Sequence, residues 1–390
     1  MKVAIFTDTY LPYINGVVTH INTLQKQLVK NGHEVLIVTA SPKYSKHTIK
    51  NNVLYCPSVT VKKLYGYGAA NPINLKRLKI LKDFNPDVLH IHTEFTIGYF
   101  AMFVARKLKK PIVYTLHTMY DDYLFYVAPK RMVKTVKPAA HFYLKKVANK
   151  ATEIIGPSLK VVEFLKSIKV NKPINLINNT GDFSNFFPQN QDFDKISSLK
   201  KELGITPNDT TLCFVGRLGK EKSIDVLINY FTEQFKENKN VKLFIIGDGP
   251  ERENLILLIN SLKMKDQIKL LGKIPHDTIP TYFNSFNLYT SASLSEIHSI
   301  STLEAMASGL YVLQRLDELN RGQIIEGVNG NIFNSSIEFA FYINEYIKLT
   351  QSERILKSDK VVESTKQYGE KEFGEAVIEV YKSAIKKATK

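Results

Sequence analysis

KVAIFTDTYLPYINGVVTHINTLQKQLVKNGHEVLIVTA, residues 2–40, has the pattern of a strand, a helix and a second strand. The two strand segments are continuous apolar runs. Between them Ile21, Leu24 and Leu28 recur at helical spacing before Gly32, a fitting helix stop. Apolar strands that alternate with helices are typical of a parallel sheet covered on both faces. The stretch therefore predicts an α/β fold.

The same alternation continues along the chain in two series. DVLHIHTE, PIVYTLHT and ATEIIGPS extend the first series, and TLCFVGRL, VKLFIIGDG, IKLLGKI and FNLYTSAS form the second. A polar interval separates them, and 390 residues exceed what one hydrophobic core normally supports. We predict two Rossmann-like, doubly wound domains, 1–190 and 191–370, that face each other across a cleft. A C-terminal helix, 371–390, is expected to pack back on the first domain.

Charge is distributed unevenly between the two halves. Residues 1–190 contain 27 Lys and Arg against 10 Asp and Glu, whereas residues 191–390 contain 26 against 27. The first half therefore carries +17 and the second −1, which favours an anionic partner for the first half. Because no nucleic-acid recognition motif accompanies the charge, a phospholipid surface is the preferred interpretation.

Part of this charge lies in KRMVKTVKPAAHFYLKKVANK, residues 130–150. Met132, Val136, Tyr143 and Val147 recur there at near-helical spacing among basic residues. A basic amphipathic helix can lie on an anionic membrane, where each Lys or Arg contributes about 1 kcal/mol. An ordinary surface helix with a solvated basic face would show the same pattern. The candidate membrane contacts are Lys130, Arg131, Lys134, Lys137, Lys145 and Lys146.

Targeting and cysteine patterns favour a cytoplasmic protein. MKVAIFTDTY does not resemble a secretory leader, and the longest conspicuous uncharged apolar run, Phe95–Ala105, is too short to span a bilayer. Cys56 and Cys213 fall in strand-like segments and show no disulfide or metal spacing. A reducing compartment is the simplest expectation.

Loops after the predicted strands hold the candidate site residues, because ligands of open parallel sheets bind beyond the carboxyl ends of the strands. Gly16 precedes the first helix, where a missing side chain lets backbone donors approach an anion. His117 lies near the end of PIVYTLHT, residues 111–118, and Arg217 and Lys222 follow the first strand of the second half. SEIHSISTLEAMASG, residues 295–309, follows its fourth strand.

Glu296 and Glu304 in that last loop have competing interpretations. Ser301 and Glu304 match a capping box, with Gly309 as the helix stop, so that Glu304 would only satisfy backbone donors. A retaining glycoside hydrolase also uses two carboxylates, but it places them about 5–5.5 Å apart. Eight residues of continuous helix would separate these two by roughly 12 Å, which argues against a hydrolase.

The glycine pair of IIGDGP does not predict a dinucleotide site. The pattern lacks the third glycine of the dinucleotide fingerprint and does not open the first strand–helix–strand unit. A redox Rossmann enzyme is therefore disfavoured.

Several ordered motifs together resemble the retaining GT-B glycosyltransferases of family 4. The second half has GRLGKEK, IIGDGPERENL, the Glu, seven residues, Glu pattern and EGVNGNIF in the family's order. In the first half, the opening strand with its glycine loop, DVLHIHTEF, HTMYDDY and the PS of IIGPS fall where the family has them. The resemblance covers nearly the whole chain. TDTYLPYINGV and HTMYDDYLFY are most similar to the branch that glucosylates diacylglycerol at the bacterial membrane.

The resemblance implies a role for each candidate. Arg217 and Lys222 match the basic pair that holds the diphosphate of a UDP-sugar, and His117 matches the histidine that contacts the donor sugar. Glu304 matches the carboxylate that binds the ribose hydroxyls, and Glu296 the one beside the transferred sugar. The catalytic candidates are His117, Arg217, Lys222 and Glu296. The donor-binding candidates are Gly16, Gly216, Arg217, Lys222, Glu296, His298, Ser299, Ile300, Ser301 and Glu304, with the amides of 298–301 directed at the sugar and phosphates.

His90 and His92 are expected to be structural. The acceptor candidates are Tyr120, Asp121 and Asp122, with solvated loop carboxylates as the alternative for the two aspartates.

The implied activity is transfer of a hexose, glucose being favoured, with retention of configuration. No essential metal is expected, because the basic pair takes the role of a divalent cation. The implied location is the cytoplasm, peripherally on the inner face of the bacterial membrane.

Two kinds of alternative remain from the sequence. The same chemistry would serve a cell-wall or capsule polymer, a protein hydroxyl or a small hydroxy acid as acceptor. A catalytically silent relative that binds a glycan or a partner is the alternative of another class. It arises because Ile297 and Ser299 stand where the family usually has glycine, which permits close backbone approach to the donor.

Overall fold

The computed structural model describes residues 1–13, 15–61, 67–119, 121, 132–317 and 322–389. The chain divides into two compact units. Unit 1 comprises Met1–Thr180 and Tyr368–Lys390, and unit 2 comprises Gly181–Gln367. The division lies ten residues before the predicted boundary near residue 190. Residues after Gly181 belong to unit 2 because Phe186 packs on Phe283 and its carbonyl accepts a hydrogen bond from Asn284.

Unit 1 contains a mostly parallel sheet with strand order β3-β4-β2-β1-β6-β7-β8-β9, and β5 pairs with β4. The pairings of β3 and β5 with β4 are antiparallel, and the others are parallel. The strands are β1 Lys2–Thr7, β2 Glu34–Ser41, β3 Thr48–Lys50, β4 Val53–Val61, β5 Tyr67–Ala70, β6 Val88–Ile91, β7 Ile112–Thr115, β8 Glu153–Gly156 and β9 Ile174–Leu176. The helices are α1 Gly16–Lys30, α2 Leu75–Phe84, α3 Thr96–Leu108, α4 Val133–Lys150, α5 Leu159–Ser167 and the C-terminal α13 Glu370–Thr389.

Helix α13 completes the core of unit 1. Its Phe373, Val377 and Tyr381 are buried in one cluster with Ile21 and Leu24 of α1. The close fit is polar as well as apolar, because the Tyr381 hydroxyl lies 2.7 Å from Nδ1 of the buried His90. The last helix of the chain is therefore part of the first unit.

Unit 2 contains a parallel sheet with strand order β12-β11-β10-β13-β14-β15. Its strands are β10 Thr210–Val215, β11 Val241–Ile246, β12 Ile268–Gly272, β13 Leu288–Ser291, β14 Tyr311–Arg315 and β15 Gly330–Phe333. Its helices are α6 Phe193–Glu202, α7 Ile224–Phe235, α8 Arg252–Ser261, α9 Ile279–Phe283, α10 Ile300–Ala307, α11 Ser336–Lys348 and α12 Gln351–Ser364. The parallel strands and their intervening helices confirm the predicted α/β class in both units.

Candidate functional site

Strand order in unit 2 places two predicted site loops side by side. Strands β10 and β13 pair directly, with Leu212 opposite Leu288, so the loops that follow them leave the same edge of the sheet. Across this edge Lys222 Nζ lies 2.6 Å from Glu296 Oε1. Both side chains are largely buried, at 17% and 16% exposure, so water screens their ion pair only in part. The structure thus brings together a cation and a carboxylate that lie 74 residues apart in sequence.

Arg217 has a carboxylate partner within its own loop. Its Nη2 donates to Oε1 of Glu221, whose side chain is 1% exposed. Gly219 makes this fold-back possible, because a Cβ there would lie 2.3 Å from the Glu221 carboxylate. Arg217 itself is 29% exposed, so part of its guanidinium faces the surroundings. The pair fixes the guanidinium direction, and an Arg fork is suited to bidentate contact with phosphate.

Glu304 is an ion-pair partner and not a capping residue. It lies in the second turn of α10, is 8% exposed, and its Oε1 is 2.8 Å from Nε2 of His276. The hydrogen bond with Glu304 raises the pKa of His276 above its ordinary 6.5, outweighing partial burial. His276 comes from the loop after β12 and packs beside the ring of Phe186. The capping-box prediction for Ser301 and Glu304 is therefore wrong.

Ser299 is the residue that caps α10. Its Oγ accepts a hydrogen bond from the amide of Thr302, and its backbone is extended, as an N-cap requires. Its own amide donates to Oε1 of Gln323, and Nε2 of Gln323 donates back to the Ser299 carbonyl. The expectation that the amides of residues 298–301 all face a donor therefore does not hold at Ser299. Ser301 Oγ lies 3.1 Å from Ser299 Oγ, within the first turn.

The side chains that stand where the family usually has glycine are buried. Ile297 is 8% exposed and Ser299 7%, so neither projects from the loop surface. His298 between them is also buried, and burial lowers its pKa to about 3, which keeps it neutral at physiological pH. The loop accommodates these side chains by burying them.

Gly247 and Gly249 pack one strand-end loop against another. A Cβ at Gly247, whose φ is +141°, would lie 1.8 Å from the Gly216 carbonyl oxygen, and one at Gly249 would lie 2.5 Å from that of Leu218. The glycine pair of IIGDGP therefore supports the loop that carries Arg217. The packing gives these glycines a role that needs no dinucleotide.

In unit 1, His117 belongs to a group of three histidines. It follows β7, His92 follows the neighbouring β6, and His20 lies on α1. His92 Nδ1 is 2.8 Å from His117 Nε2, and the ring centres of His20 and His117 are 4.6 Å apart. Burial lowers the pKa of His20 to about 4 and holds those of His92 and His117 well below 6.5. All three rings are therefore neutral at physiological pH.

His90 has the structural environment expected for it. Its Nδ1 lies 2.7 Å from the Tyr381 hydroxyl and its Nε2 lies 2.7 Å from Oγ1 of Thr115. Both ring nitrogens are thus used to hold α13 and β7 in place. His92, which is expected to be structural as well, is buried and contacts His117, a predicted site residue.

Gly16 is the first residue of α1, and its surroundings are open. No atom lies within 4 Å of a Cβ built there, so packing in the described part of unit 1 does not require glycine at this position. Asn15 caps the helix, its side-chain oxygen accepting from the amide of Val18. The open space is compatible with the predicted approach of an anionic ligand.

The acceptor candidates are only partly described. Tyr120 and Asp122 lie outside the described residues, as do the membrane candidates Lys130 and Arg131. Asp121 is bound to α4, with Oδ2 2.7 Å from Lys137 Nζ and Oδ1 2.7 Å from His141 Nε2. Lys137, a membrane candidate, therefore has an acidic partner in its own unit.

The apolar residues predicted to lie on the membrane side of α4 are not all exposed. Val147 is buried and the Tyr143 hydroxyl donates to the Glu94 carbonyl, so these residues anchor the helix to unit 1. Phe142 is 70% exposed and stands beside the exposed Lys146. Lys134 and Lys137 are also exposed, whereas Lys145 is half-buried. Among the described residues, none of the helices combines the length and hydropathy needed to cross a bilayer.

Sequence reasoning missed four contacts around these residues. Glu221 lies only four positions after Arg217, but that spacing predicts an ion pair on an α-helix, and this segment is a loop with a short 3₁₀ turn, Lys220–Lys222. His276 follows a strand of the same sheet, so the strand-end rule could have selected it. The pairing of His92 with His117 required the order of β6 and β7. Gln323 has no local sequence signal, because its contact with Ser299 spans 24 residues.

Each unit contains a mostly parallel sheet covered by helices, and polar loops follow the strands. This architecture is that of the GT-B fold of glycosyltransferases. The structure is similar to HepE of Anabaena, solved with UDP and glucose, at a TM-score of 0.76 and 17% identity over 98% of this chain and 100% of that one. It is also similar to the sucrose-phosphate synthase of Thermosynechococcus elongatus, at a TM-score of 0.75 and 14% identity over 98% of each chain. These likenesses support the fold.

Sequence comparisons identify the family. Residues 14–183 match the model "Glycosyltransferase Family 4", and residues 195–368 match "Glycosyl transferases group 1". The chain is 30% identical to an alpha-monoglucosyldiacylglycerol synthase of Acholeplasma laidlawii over 100% of this chain and 99% of that protein. It is 29% identical to the synthase of the same name in Streptococcus pneumoniae, over 99% of this chain and 86% of that protein. The chain belongs to glycosyltransferase family 4, which confirms the resemblance seen in the sequence.

Proposed function

We propose that the protein transfers glucose from UDP-glucose to diacylglycerol, with retention of configuration, at the inner face of a bacterial membrane. The full-length similarity to two alpha-monoglucosyldiacylglycerol synthases carries this proposal. The charged residues of the unit 2 site, Arg217, Lys222, Glu296 and Glu304, support a UDP-sugar as the donor. They combine cations suited to phosphate with carboxylates suited to hydroxyl groups.

Each charged residue of that cluster has a proposed task. Arg217 and Lys222 hold the diphosphate. Glu296, whose Oε1 lies 2.6 Å from Lys222 Nζ, accepts hydrogen bonds from the transferred sugar. Glu304, oriented by His276, accepts hydrogen bonds from the ribose. His117 and Gly16 of unit 1 contact the sugar and the phosphates. The first-turn amides of Ile300 and Ser301 contribute the positive end of the α10 dipole.

The proposed reaction breaks the bond between the anomeric carbon and the phosphate oxygen. The acceptor oxygen attacks the same face through an oxocarbenium-like state, UDP leaves with the bonding electron pair, and the hydroxyl proton passes to the departing phosphate oxygen. The charge that develops on the diphosphate is stabilised by Arg217 and Lys222, which are already oriented by Glu221 and Glu296. This stabilisation requires no essential metal. Binding the acceptor beside the donor lowers the barrier further, because the two reactants are already held together.

The outer face of α4 supports a membrane-bound acceptor. Lys134, Phe142 and Lys146 are all exposed on this helix, and Lys146 stands beside the Phe142 ring, so a cation for lipid phosphates accompanies a ring that can insert at the interface. Hydrogen bonds and packing from Tyr143 and Val147 hold the helix on unit 1. A peripheral position at the membrane would bring the protein to its lipid acceptor.

A catalytically silent binding protein is the second candidate. The observation that favours it is that Arg217 and Lys222 each contact a carboxylate of this chain and the Ser299 amide is bound to Gln323. In such a protein the ion pairs would be purely structural. We favour the enzyme because Ile297 and Ser299, the departures from the family pattern, are buried and do not obstruct the loop surface.

The test combines a substrate panel with one matched pair of variants. The protein is incubated with several UDP-sugars, with and without anionic liposomes that contain diacylglycerol, and products are identified by mass spectrometry. We expect glucosyldiacylglycerol, and we expect Arg217→Ala to lower turnover by about 10²–10³-fold. Arg252→Ala is the control, since the Arg252 side chain is 41% exposed and contacts only its neighbour Glu253 among the ion pairs described.

The outcomes separate the parts of the proposal. UDP release without a glycolipid would refute the acceptor, and transfer from another UDP-sugar would refute glucose. Undiminished turnover in Arg217→Ala would refute the diphosphate role. If no UDP-sugar binds or turns over, the silent candidate replaces the enzyme.

A further inference from the structure

Three imidazoles from different elements of unit 1 converge on one small volume. One ring nitrogen each from His20, His92 and His117 lies within 4.8 Å of the other two. The rings come from α1 and from the loops after two adjacent strands, so tertiary structure brings them together. A cluster of this composition is the donor set of a transition-metal site with three histidines.

The spacing is close to what such a metal requires. Zinc binds imidazole nitrogen at about 2.0–2.1 Å, so the nitrogens of a tetrahedral site are roughly 3.3 Å apart. His92 Nδ1 and His117 Nε2 are 2.8 Å apart, and all three nitrogens lie within 4.8 Å of one another. Side-chain shifts of about 1 Å would therefore bring all three nitrogens to bonding distance.

The surroundings of His20 provide the support that ligating histidines usually have. Its Nδ1 is 3.0 Å from Oδ1 of Asn179. Because an amide oxygen only accepts, Nδ1 carries the proton and Nε2 keeps its lone pair. A metal-binding histidine typically donates its other N–H to an oxygen in this way.

His92 faces His117 with only one of its ring nitrogens, Nδ1. It is 1% exposed, and its Nε2 is buried without a hydrogen-bond partner among the described residues. Nε2 is therefore the nitrogen to which the ring proton can move when Nδ1 binds an ion. His117 is only partly buried, which leaves one side of the cluster open for an entering ion and a water ligand.

We propose that His20, His92 and His117 form a binding site for a divalent transition-metal ion of the Zn²⁺ class. In the metal-free protein one proton lies between His92 Nδ1 and His117 Nε2. An ion ligated by both nitrogens takes its place, and the proton passes to the other nitrogen of the same ring, so both imidazoles stay neutral. Because His117 is also the proposed contact of the donor sugar, the ion competes with the donor. That consequence rests on the proposed function, whereas binding of the ion does not.

Binding is tested on the full-length protein after treatment with a chelator. Zn²⁺ is titrated in competition with a chromophoric chelator, and metal content is measured by mass spectrometry after gel filtration. We expect one tightly bound Zn²⁺ per chain and at least a tenfold loss of affinity in His20→Gln and in His92→Gln. His141→Gln and His276→Gln are controls for histidines outside the cluster and should bind as the wild type does. Thermal unfolding monitors the fold of each variant.

Cobalt provides a readout that does not depend on any variant. The wild-type protein with one equivalent of Co²⁺ should show the intense visible bands of a four-coordinate ion, and Zn²⁺ should remove them. Weak six-coordinate bands, or equal Zn²⁺ affinity in folded His20→Gln and His92→Gln, would overturn the site. Loss of binding in the control variants instead would identify adventitious surface binding and overturn it as well.

Inhibition separates the site from the function. If Zn²⁺ binds at the cluster, it should raise the UDP-glucose concentration needed for half-maximal turnover. Binding without any effect on turnover would leave the metal site standing and refute competition at His117. Turnover without Zn²⁺ binding would refute the metal site and leave the proposed function standing.

Discussion

The ion pair of His276 and Glu304 can be measured by a double-mutant cycle at two pH values. Its members are His276→Gln, Glu304→Gln and the double variant, with the wild type as reference. The cycle isolates the interaction because each single change removes the pair while nearly preserving side-chain size. It addresses the carboxylate that we propose for ribose binding.

The magnitude follows from the geometry. Unit charges 4 Å apart interact by about 1 kcal/mol in water and about 4 kcal/mol at an effective dielectric constant of 20. His276 is 43% exposed and Glu304 is 8% exposed, with 2.8 Å between Nε2 and Oε1. Because solvent screens the histidine side, we expect a coupling near the lower limit, about 1–1.5 kcal/mol.

The sign of the pH dependence is fixed by the raised pKa of His276. A group whose pKa is higher in the folded state binds its proton more tightly there, so folding is favoured when that proton is present. The stabilisation is complete below the unfolded value of 6.5 and is lost as pH rises through the higher folded value. We therefore expect the coupling to be present at pH 6 and largely absent at pH 9.

Urea unfolding of the four proteins at both pH values provides the measurement. The matched control is the pair Lys242 and Asp209 of the same unit, with 2.8 Å between Nζ and Oδ2. Burial alone would raise the pKa of Asp209, but its hydrogen bonds with Lys242 and Thr206 lower it, so the carboxylate keeps its charge between pH 6 and 9. A coupling of His276 with Glu304 that is equal at both pH values, or zero at pH 6, would refute the reasoning.

Three further predictions concern the membrane face and the helix cap. Lys134→Glu with Lys146→Glu should weaken binding to anionic liposomes by about 1 kcal/mol or more per residue, with the difference shrinking in high salt; unchanged sedimentation with liposomes would show a merely solvated face. Phe142→Ala should weaken the same binding without lowering the unfolding temperature, because the ring is 70% exposed; a lower temperature with normal binding would contradict this. Ser299→Ala should destabilise the protein by about 1 kcal/mol through loss of the cap, measured by denaturant unfolding, and a smaller effect than that of Ser301→Ala would exclude Ser299 as the cap.

The fold was predictable from sequence because apolar periodicity directly reflects burial. The runs that became β1, β10 and β11 are almost wholly buried, and Gly32 ends α1 with a φ of +76°. The boundary between the units was less predictable, since a polar composition does not reveal which side an irregular segment packs against.

The candidate site was predictable as a set of positions but not as a set of contacts. Arg217, Lys222 and Glu296 were found by their motifs, whereas the fold-back of Glu221 depends on the conformation at Gly219. The capping-box pattern failed because helix α10 begins at Ile300, one residue before the Ser301 that the pattern requires as its cap. The contacts that a site residue makes depend on tertiary partners, which local sequence patterns do not reveal.

The apolar stripe of α4 shows a similar limit. Helical spacing groups Tyr143 with Met132, but the hydroxyl of Tyr143 is drawn to the Glu94 carbonyl while Met132 stays 49% exposed. Phe142, which lies off the stripe, became the exposed aromatic residue. Periodicity identifies the helix and leaves open which of its apolar residues face inward.

The position of α13 has a consequence for biosynthesis. Unit 2 is a continuous insertion, since the chain leaves unit 1 at Thr180 and re-enters at Tyr368, where the Thr180 hydroxyl donates to the Tyr368 carbonyl. During translation unit 2 is therefore complete before unit 1 receives Phe373 and Tyr381. We expect nascent unit 1 to lack the apolar face of α13, and the Tyr381 partner of His90, until residues 370–389 have been synthesised.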